Sequence, residues 1–430
     1  MASLLVQGNK RLNGLVRVSG NKNAALPMMC ATMLGGTPST FSNFPPISDG
    51  QKISEFFRKL GSSAEIDAGA QKAFFNHANM SGLNGYEVPS GIRSAVLLIA
   101  PMVFRLGQFR VDLGSKGCAL GIREIDPHLE IAVKFGCKVT VSQGACQIDQ
   151  GKENQSPDIW LDYQSVTATE TFLMFAATSS AEARLTNAAS EPHVAHFCKM
   201  LVKMGVEIDG IGTSRLTVRG NQNLLGCNFE VIDDHHEVAT YAAIGASTCS
   251  HLTIKSSVSH EMDLIVRQFR KTGLNVRIDG SDIITGPSDF IIEKPLTPEG
   301  ITKVEAAPWP YFPADILPQI IGATIQSKGE ILFWNKVYEG ALFWSAELAK
   351  FGARTILADP HRLILLPASE LRPNAVDAPY IIRVVIGLLI AAMQIEGQSL
   401  IRSADPLNRA HPNLIEKLQS LGANLEWVPD

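Results

Sequence analysis

At 430 residues, with 45% hydrophobic and 19% charged side chains, the chain is long enough for two or three packed domains, and the composition excludes a disordered polymer. A net charge of −4 leaves no polybasic footprint, which argues against nucleic acid as the main partner while still allowing a local cluster of arginines around an acidic substrate. Seven scattered cysteines without a Cys-x-x-Cys pair argue against a disulfide framework or structural zinc; with neither a leader-like start nor an apolar run long enough to span a bilayer, the reading is a cytoplasmic protein.

In chain order, one pattern recurs six times. A helix ends in a glycine, and a short alternating or β-branched strand follows. The glycines are Gly61, Gly136, Gly205, Gly273, Gly352 and Gly422, spaced 75, 69, 68, 79 and 70 residues apart. Each stands where a helix C-terminus favours a left-handed residue. Upstream of them, apolar helices are expected at 96–104, 172–177, 241–246, 320–325 and 385–393. Each leads into a strand, at 109–113, 183–185, 252–254, 331–334 and 399–401. A period near 70 is too long for a tetratricopeptide or ankyrin solenoid and reads as six α/β units. The plain alternative is an array that serves only as scaffold.

Three stretches carry chemistry. Ser19-Gly-Asn-Lys-Asn23 places Lys22 and Asn23 just before an apolar helix, where a cation and free backbone N–H groups can hold a phosphate or carboxylate; the alternative is a solvated lysine. Residues 113–128 form a segment broken by three glycines, carrying Cys118, Lys116, Arg123, Asp126 and His128. A thiol between two cations can act as acid or nucleophile in a mobile lid, or can be a chance surface thiol. Pro308-Trp-Pro-Tyr-Phe-Pro-Ala-Asp315 is a stiff turn delivering one carboxylate to an apolar helix. Asp315 can take a proton from a substrate hydroxyl or can simply cap the helix. Asp233-Asp-His-His-Glu237 and His193-x-x-His196 resemble metal ligands but lack a third ligand at a recognised interval. The first reads as the polar start of a helix, the second as partly exposed helix residues, and no metal is expected.

Together these motifs resemble the enolpyruvyl transferases, most of all the UDP-N-acetylglucosamine 1-carboxyvinyltransferases and more distantly the shikimate-phosphate branch, and the likeness runs from Val6 to Asn424. The resemblance implies a two-domain inside-out α/β barrel of six units, three per domain. One domain would hold 1–21 and 232–430 and the other, carrying the Cys118 loop, 22–231, with the active site in the interdomain cleft. It implies transfer of the enolpyruvyl group of phosphoenolpyruvate to a hydroxyl of a uridine nucleotide, with no cofactor. Lys22, Arg123, Arg383 and Arg409 would surround phosphoenolpyruvate. Cys118, Asp315 and Lys22 would be catalytic, and Asn23, Arg93, Asp126, His128, Ser165, Val166 and Tyr338 would lie on the acceptor side.

Several positions depart from the family pattern. Ala341 stands for an arginine, Tyr163 for a lysine, Thr167 for a glycine, Glu124 for a proline and Ala314 for a threonine. They fall on the nucleotide side, so a different acceptor, such as the UMP of nucleoside-antibiotic enolpyruvyl transferases, is an alternative. A third reading is an inactive paralogue that binds a nucleotide sugar.

Overall fold

The computed structural model describes residues 2–81, 93–112, 124–142, 144–151, 155–297, 299–368, 370–409, 411 and 413–429. It is a mixed α/β structure that divides into two compact units. One contains the residues up to Ser19 together with those from Asp233 onward, and the other contains the described residues from Gly20 to Ile232.

Unit by unit, the described strands form small sheets, five of which share one topology. In the first unit the sheets are Ala375–Asp377, Gly397–Arg402, Ala2–Gly8, Asn424–Pro429; then Asn13–Arg17, His251–Lys255, Asp282–Thr285, Val276–Asp279; then Thr302–Ala306, Ile331–Asn335, Arg362–Leu366, Arg354–Asp359. In each, the first pair is parallel and the next two pairings are antiparallel. The second unit repeats this order in Asn228–Glu230, Ser39–Ser42, Lys72–Asn76, Ser63–Asp67 and in Asp158–Trp160, Glu182–Thr186, Arg215–Arg219, Glu207–Asp209. Among the described residues its third sheet has three antiparallel strands, Gln108–Asp112, Ala145–Asp149 and Lys138–Ser142.

All six glycines at the helix ends have positive φ, between 81° and 112°. At every one of them the residue after the glycine donates its N–H to a carbonyl five positions back, as in Ser62 to Phe57 and Ala423 to Leu418. That closure satisfies carbonyls the helix leaves open and turns the chain into the next strand.

In the first unit the helices His235–Ser247, Leu317–Ala323 and Ile382–Met393 are almost wholly buried and pack on one another, each also against a sheet. Two of them approach through glycine. A Cβ on Gly322 would lie 2.2 Å from the Gly387 carbonyl oxygen, so only hydrogen fits there. In the second unit the helices Lys22–Ala31, Ile99–Leu106 and Val166–Thr178 fill the core. The apolar stretch at 96–104 begins as a 3-10 turn, Arg93–Leu98, before becoming α-helical, and the helix expected at 320–325 ends at Ala323. No helix among the described residues is long and apolar enough to cross a membrane.

Candidate active site

In the second unit, Lys22 is the first residue of its helix. Asn21 caps that helix, its side-chain oxygen accepting from the Ala24 N–H at 3.0 Å. The Lys22 ammonium lies 2.7 Å from Asp49 Oδ2, with side chains 17% and 7% exposed. A half-buried cation at a helix start, beside half-buried Asn23, has the chemistry to receive an anion.

A second cluster forms at the start of helix Val166–Thr178. Ser165 caps it, accepting from the Ala168 N–H at 3.3 Å, with Val166 half-buried beside it. His128, in helix Asp126–Lys134, is buried, and both ring nitrogens face that helix. Nδ1 is 2.8 Å from Thr171 Oγ1 and Nε2 is 3.2 Å from Thr167 Oγ1. Thr167, where the family pattern has glycine, therefore occupies an imidazole nitrogen. Asp126 is exposed at the first position of its own helix.

In the first unit, Asp315 sits in the 3-10 turn Ala314–Ile316. It does not take the N-cap position of the following helix, which Ile316 occupies. Its carboxylate instead faces Arg383 Nη2 at 3.6 Å and receives the Tyr338 hydroxyl at 3.4 Å. Tyr338 is presented by a turn that Asn335 organises: its buried side-chain oxygen accepts from the N–H groups of Val337 and Tyr338 at 2.9 and 3.0 Å. Arg383, in the first turn of Ile382–Met393, places Nη1 3.0 Å from His411 Nε2. Thus Asp315, Tyr338 and Arg383, 68 positions apart in sequence at the extremes, form one cluster.

The stretch 233–237 does start a helix, capped by Asp234, but its members are more than polar surface. Asp234, His235, His236 and Glu237 are all buried. Asp234 Oδ1 accepts from the His236 N–H at 2.9 Å and lies 3.1 Å from His236 Nδ1. Burial alone would raise the Asp234 carboxyl, but the bond from His236 and the nearby Arg383 guanidinium hold it well below the usual carboxylate range. Asp234, His235 and His236 bring one ligand atom each within 4.8 Å of one another, the one grouping of metal-ligating type among the described residues. Glu237 pairs with Lys417 at 2.8 Å, and Lys417 also donates to Ser19 Oγ at 2.9 Å. His193 departs from expectation: it is 3% exposed, whereas His196 is half-buried, its ring tilted 49° against Phe229 and its Nε2 2.8 Å from the Glu230 carbonyl.

Cys118 and Arg123 lie outside the described residues, as do the side chains of Arg93 and Arg409, whose backbones fall in the 3-10 turns Arg93–Leu98 and Asp405–Arg409. Five of the six described cysteines are buried, and burial raises their thiols, Cys198 to about 12, which disqualifies them as nucleophiles. Asn335, His411 and Lys417 were not singled out from the sequence. Only His411 had a signal, standing two residues beyond Arg409.

Against known proteins, the family described as EPSP synthase (3-phosphoshikimate 1-carboxyvinyltransferase) matches residues 6–418. A UDP-N-acetylglucosamine 1-carboxyvinyltransferase of Bradyrhizobium diazoefficiens is 33% identical, the alignment covering 99% of this chain and 98% of that protein. One of the same name from Treponema denticola is 32% identical over 99% of each. Among solved structures, the enolpyruvyl transferase NikO from Streptomyces tendae superposes with a TM-score of 0.86 at 22% identity, covering 99% of both chains. An EPSP synthase from Acinetobacter baumannii gives 0.77 at 15% identity over 100% of both. With its whole length matched and its curated relatives enzymes of one reaction class, the chain belongs to the enolpyruvyl transferase family.

Proposed function

We propose that the protein transfers the enolpyruvyl group of phosphoenolpyruvate to a hydroxyl of a uridine nucleotide, releasing phosphate by addition and elimination. The observation that carries this reading is the Asp315 cluster. A partly exposed carboxylate is oriented by Arg383 and Tyr338, within an enzyme family of matching chemistry. Asp315 takes the acceptor hydroxyl's proton as its oxygen bonds to C2 of phosphoenolpyruvate, and C3 gains a proton from an acid, Cys118 in this reading. The tetrahedral intermediate then loses phosphate and a C3 proton, restoring the enol ether. Lys22, Arg383, Arg123 and Arg409 hold the phosphate and carboxylate of phosphoenolpyruvate and stabilise the departing phosphate. Asn23, Arg93, Asp126, His128, Ser165, Val166 and Tyr338 serve the acceptor side, His128 through its hold on the start of the Val166–Thr178 helix. The reading includes an inside-out barrel of six α/β units, three to each of the domains 1–21 with 232–430 and 22–231, working in the cytoplasm without a cofactor.

The names of the curated relatives favour UDP-N-acetylglucosamine as acceptor. The departures at Ala341, Tyr163 and Thr167 favour a second reading, a smaller nucleotide such as UMP; Ala341 is buried, leaving no cation at that position. Incubation of the purified protein with phosphoenolpyruvate and either nucleotide, following phosphate and product mass, separates the two. Turnover with UDP-N-acetylglucosamine and none with UMP removes the second reading. Turnover with UMP alone makes the departures the specificity switch, and binding of the sugar nucleotide without turnover leaves the inactive paralogue.

A further inference from the structure

His411 takes no part in the reaction described above, yet its surroundings are those of a working residue. It is 2% exposed, and its Nε2 lies 3.0 Å from Arg383 Nη1. A guanidinium can only donate, so Nε2 accepts and the imidazole proton resides on Nδ1, which has no hydrogen-bond partner among the described residues. The other terminal nitrogen of the same guanidinium, Nη2, faces Asp315 Oδ2 at 3.6 Å. Arg383 is therefore held at two corners, by a neutral acceptor on one side and a carboxylate on the other. Nothing on its own helix does this, because the N-cap Ile381 makes no side-chain bond and the flanking Ile382 and Val384 are buried apolar residues. A long side chain at that position would otherwise sample several rotamers and lose that freedom each time an anion bound.

We propose that His411 is a positioning residue, fixing the Arg383 guanidinium so that it presents its remaining donors to an anionic substrate beside Asp315. This rests on the enolpyruvyl-transfer reading, which assigns that anion as phosphoenolpyruvate. The charged and titratable groups acting on His411 are Arg383, Asp234, His236 and Lys417. Burial first, and Arg383 second, push its imidazole down to about 3. It consequently stays neutral and remains an acceptor at the pH of any assay near neutrality.

The test compares the wild type with His411→Gln, whose amide oxygen can accept from Arg383, and with His411→Leu and His411→Phe, which cannot. Phosphoenolpyruvate binding is measured by calorimetry, and steady-state constants are measured with the acceptor that supports turnover. Loss of one charge-assisted hydrogen bond predicts about a 10-fold rise in Kd and in KM for phosphoenolpyruvate for Leu and Phe, with the nucleotide KM within about twofold. The Gln variant should recover most of the affinity. Two apolar variants of different shape keep the test open if one of them does not fold. Wild-type affinity in all variants overturns the proposal. So does an equal loss in Gln, Leu and Phe accompanied by lowered melting temperature and weakened nucleotide binding, which marks a structural role. A wild type that binds no phosphoenolpyruvate overturns the functional reading itself, and is recognised before any variant is compared.

Discussion

Replacing Asp315 with asparagine keeps the shape of the side chain and an oxygen for the Tyr338 hydroxyl, while removing the charge and the base. Two effects of opposite sign follow. As the proton acceptor for the substrate hydroxyl, the carboxylate contributes about 10²- to 10⁴-fold to the rate, so kcat should fall by that factor. At about 1.4 kcal/mol per decade this is roughly 3–5 kcal/mol of transition-state stabilisation. Binding of phosphoenolpyruvate should move the other way. In the free protein Asp315 neutralises Arg383 across 3.6 Å, an attraction of about 5 kcal/mol at an effective dielectric near 20. The two side chains are 27% and 15% exposed, and solvent brings the net value to about 1 kcal/mol. Releasing Arg383 from that partner should leave phosphoenolpyruvate affinity unchanged or tighten it by up to about fivefold. The assay is phosphate release at saturating acceptor, with calorimetric titration of phosphoenolpyruvate alone. An Asp315→Asn enzyme with kcat within about threefold of wild type would refute the role given to Asp315.

The remaining expectations can be checked with stability and binding measurements. Lys22→Met should weaken phosphoenolpyruvate binding and also cost stability, because Asp49, 7% exposed, loses its ammonium partner at 2.7 Å. The double variant with Asp49→Asn should regain about 1–3 kcal/mol of stability without regaining affinity, and joint recovery of both would contradict the anion-binding role. Gly322→Ala brings a methyl group against the Gly387 carbonyl, 2.2 Å away. The two helices must part at a cost at or above the 1–3 kcal/mol typical of overpacking, so an unchanged melting temperature would disprove that contact. His77 is buried between the hydroxyls of Ser62 and Thr32, and burial, then Arg105, lowers it to about 4. An unfolded histidine titrates near 6.5, so the unfolded chain binds the proton first. Stability present above that pH is lost between about 6.5 and 4, by up to about 3 kcal/mol from this group. Melting temperature should drop less steeply with acid in His77→Gln than in wild type, and parallel profiles would rule the attribution out.

Much of the local structure was legible because it is governed by short-range chemistry. A glycine that closes an amphipathic helix just before a strand has little choice but the left-handed conformation, and all six of the recurring glycines adopt it. Lys22 opens its helix and Asp315 follows its proline-rich turn for equally local reasons. The partners of these groups were not legible. Arg383 meets His411 28 positions away, and Lys417 meets Glu237 180 positions away, pairings set by which helix faces pack in the core. His193 looked like a partly exposed helix residue because spacing alone does not reveal which side of a helix is covered. Thr167 was visible as a departure, but its bond to His128 required the two helices to be placed side by side.

The central claim is an addition–elimination at C2 and C3 of phosphoenolpyruvate, and solvent deuterium tests it most directly. The reaction is run in D₂O with phosphoenolpyruvate and the accepted uridine nucleotide, and the product is read by mass spectrometry and proton NMR. Protonation of C3 makes a methyl group, from which one of three hydrogens then leaves. The account therefore predicts stoichiometric phosphate and a new enol ether carrying deuterium in its methylene. Phosphate released without an enol ether, or an enol ether free of deuterium, would contradict it.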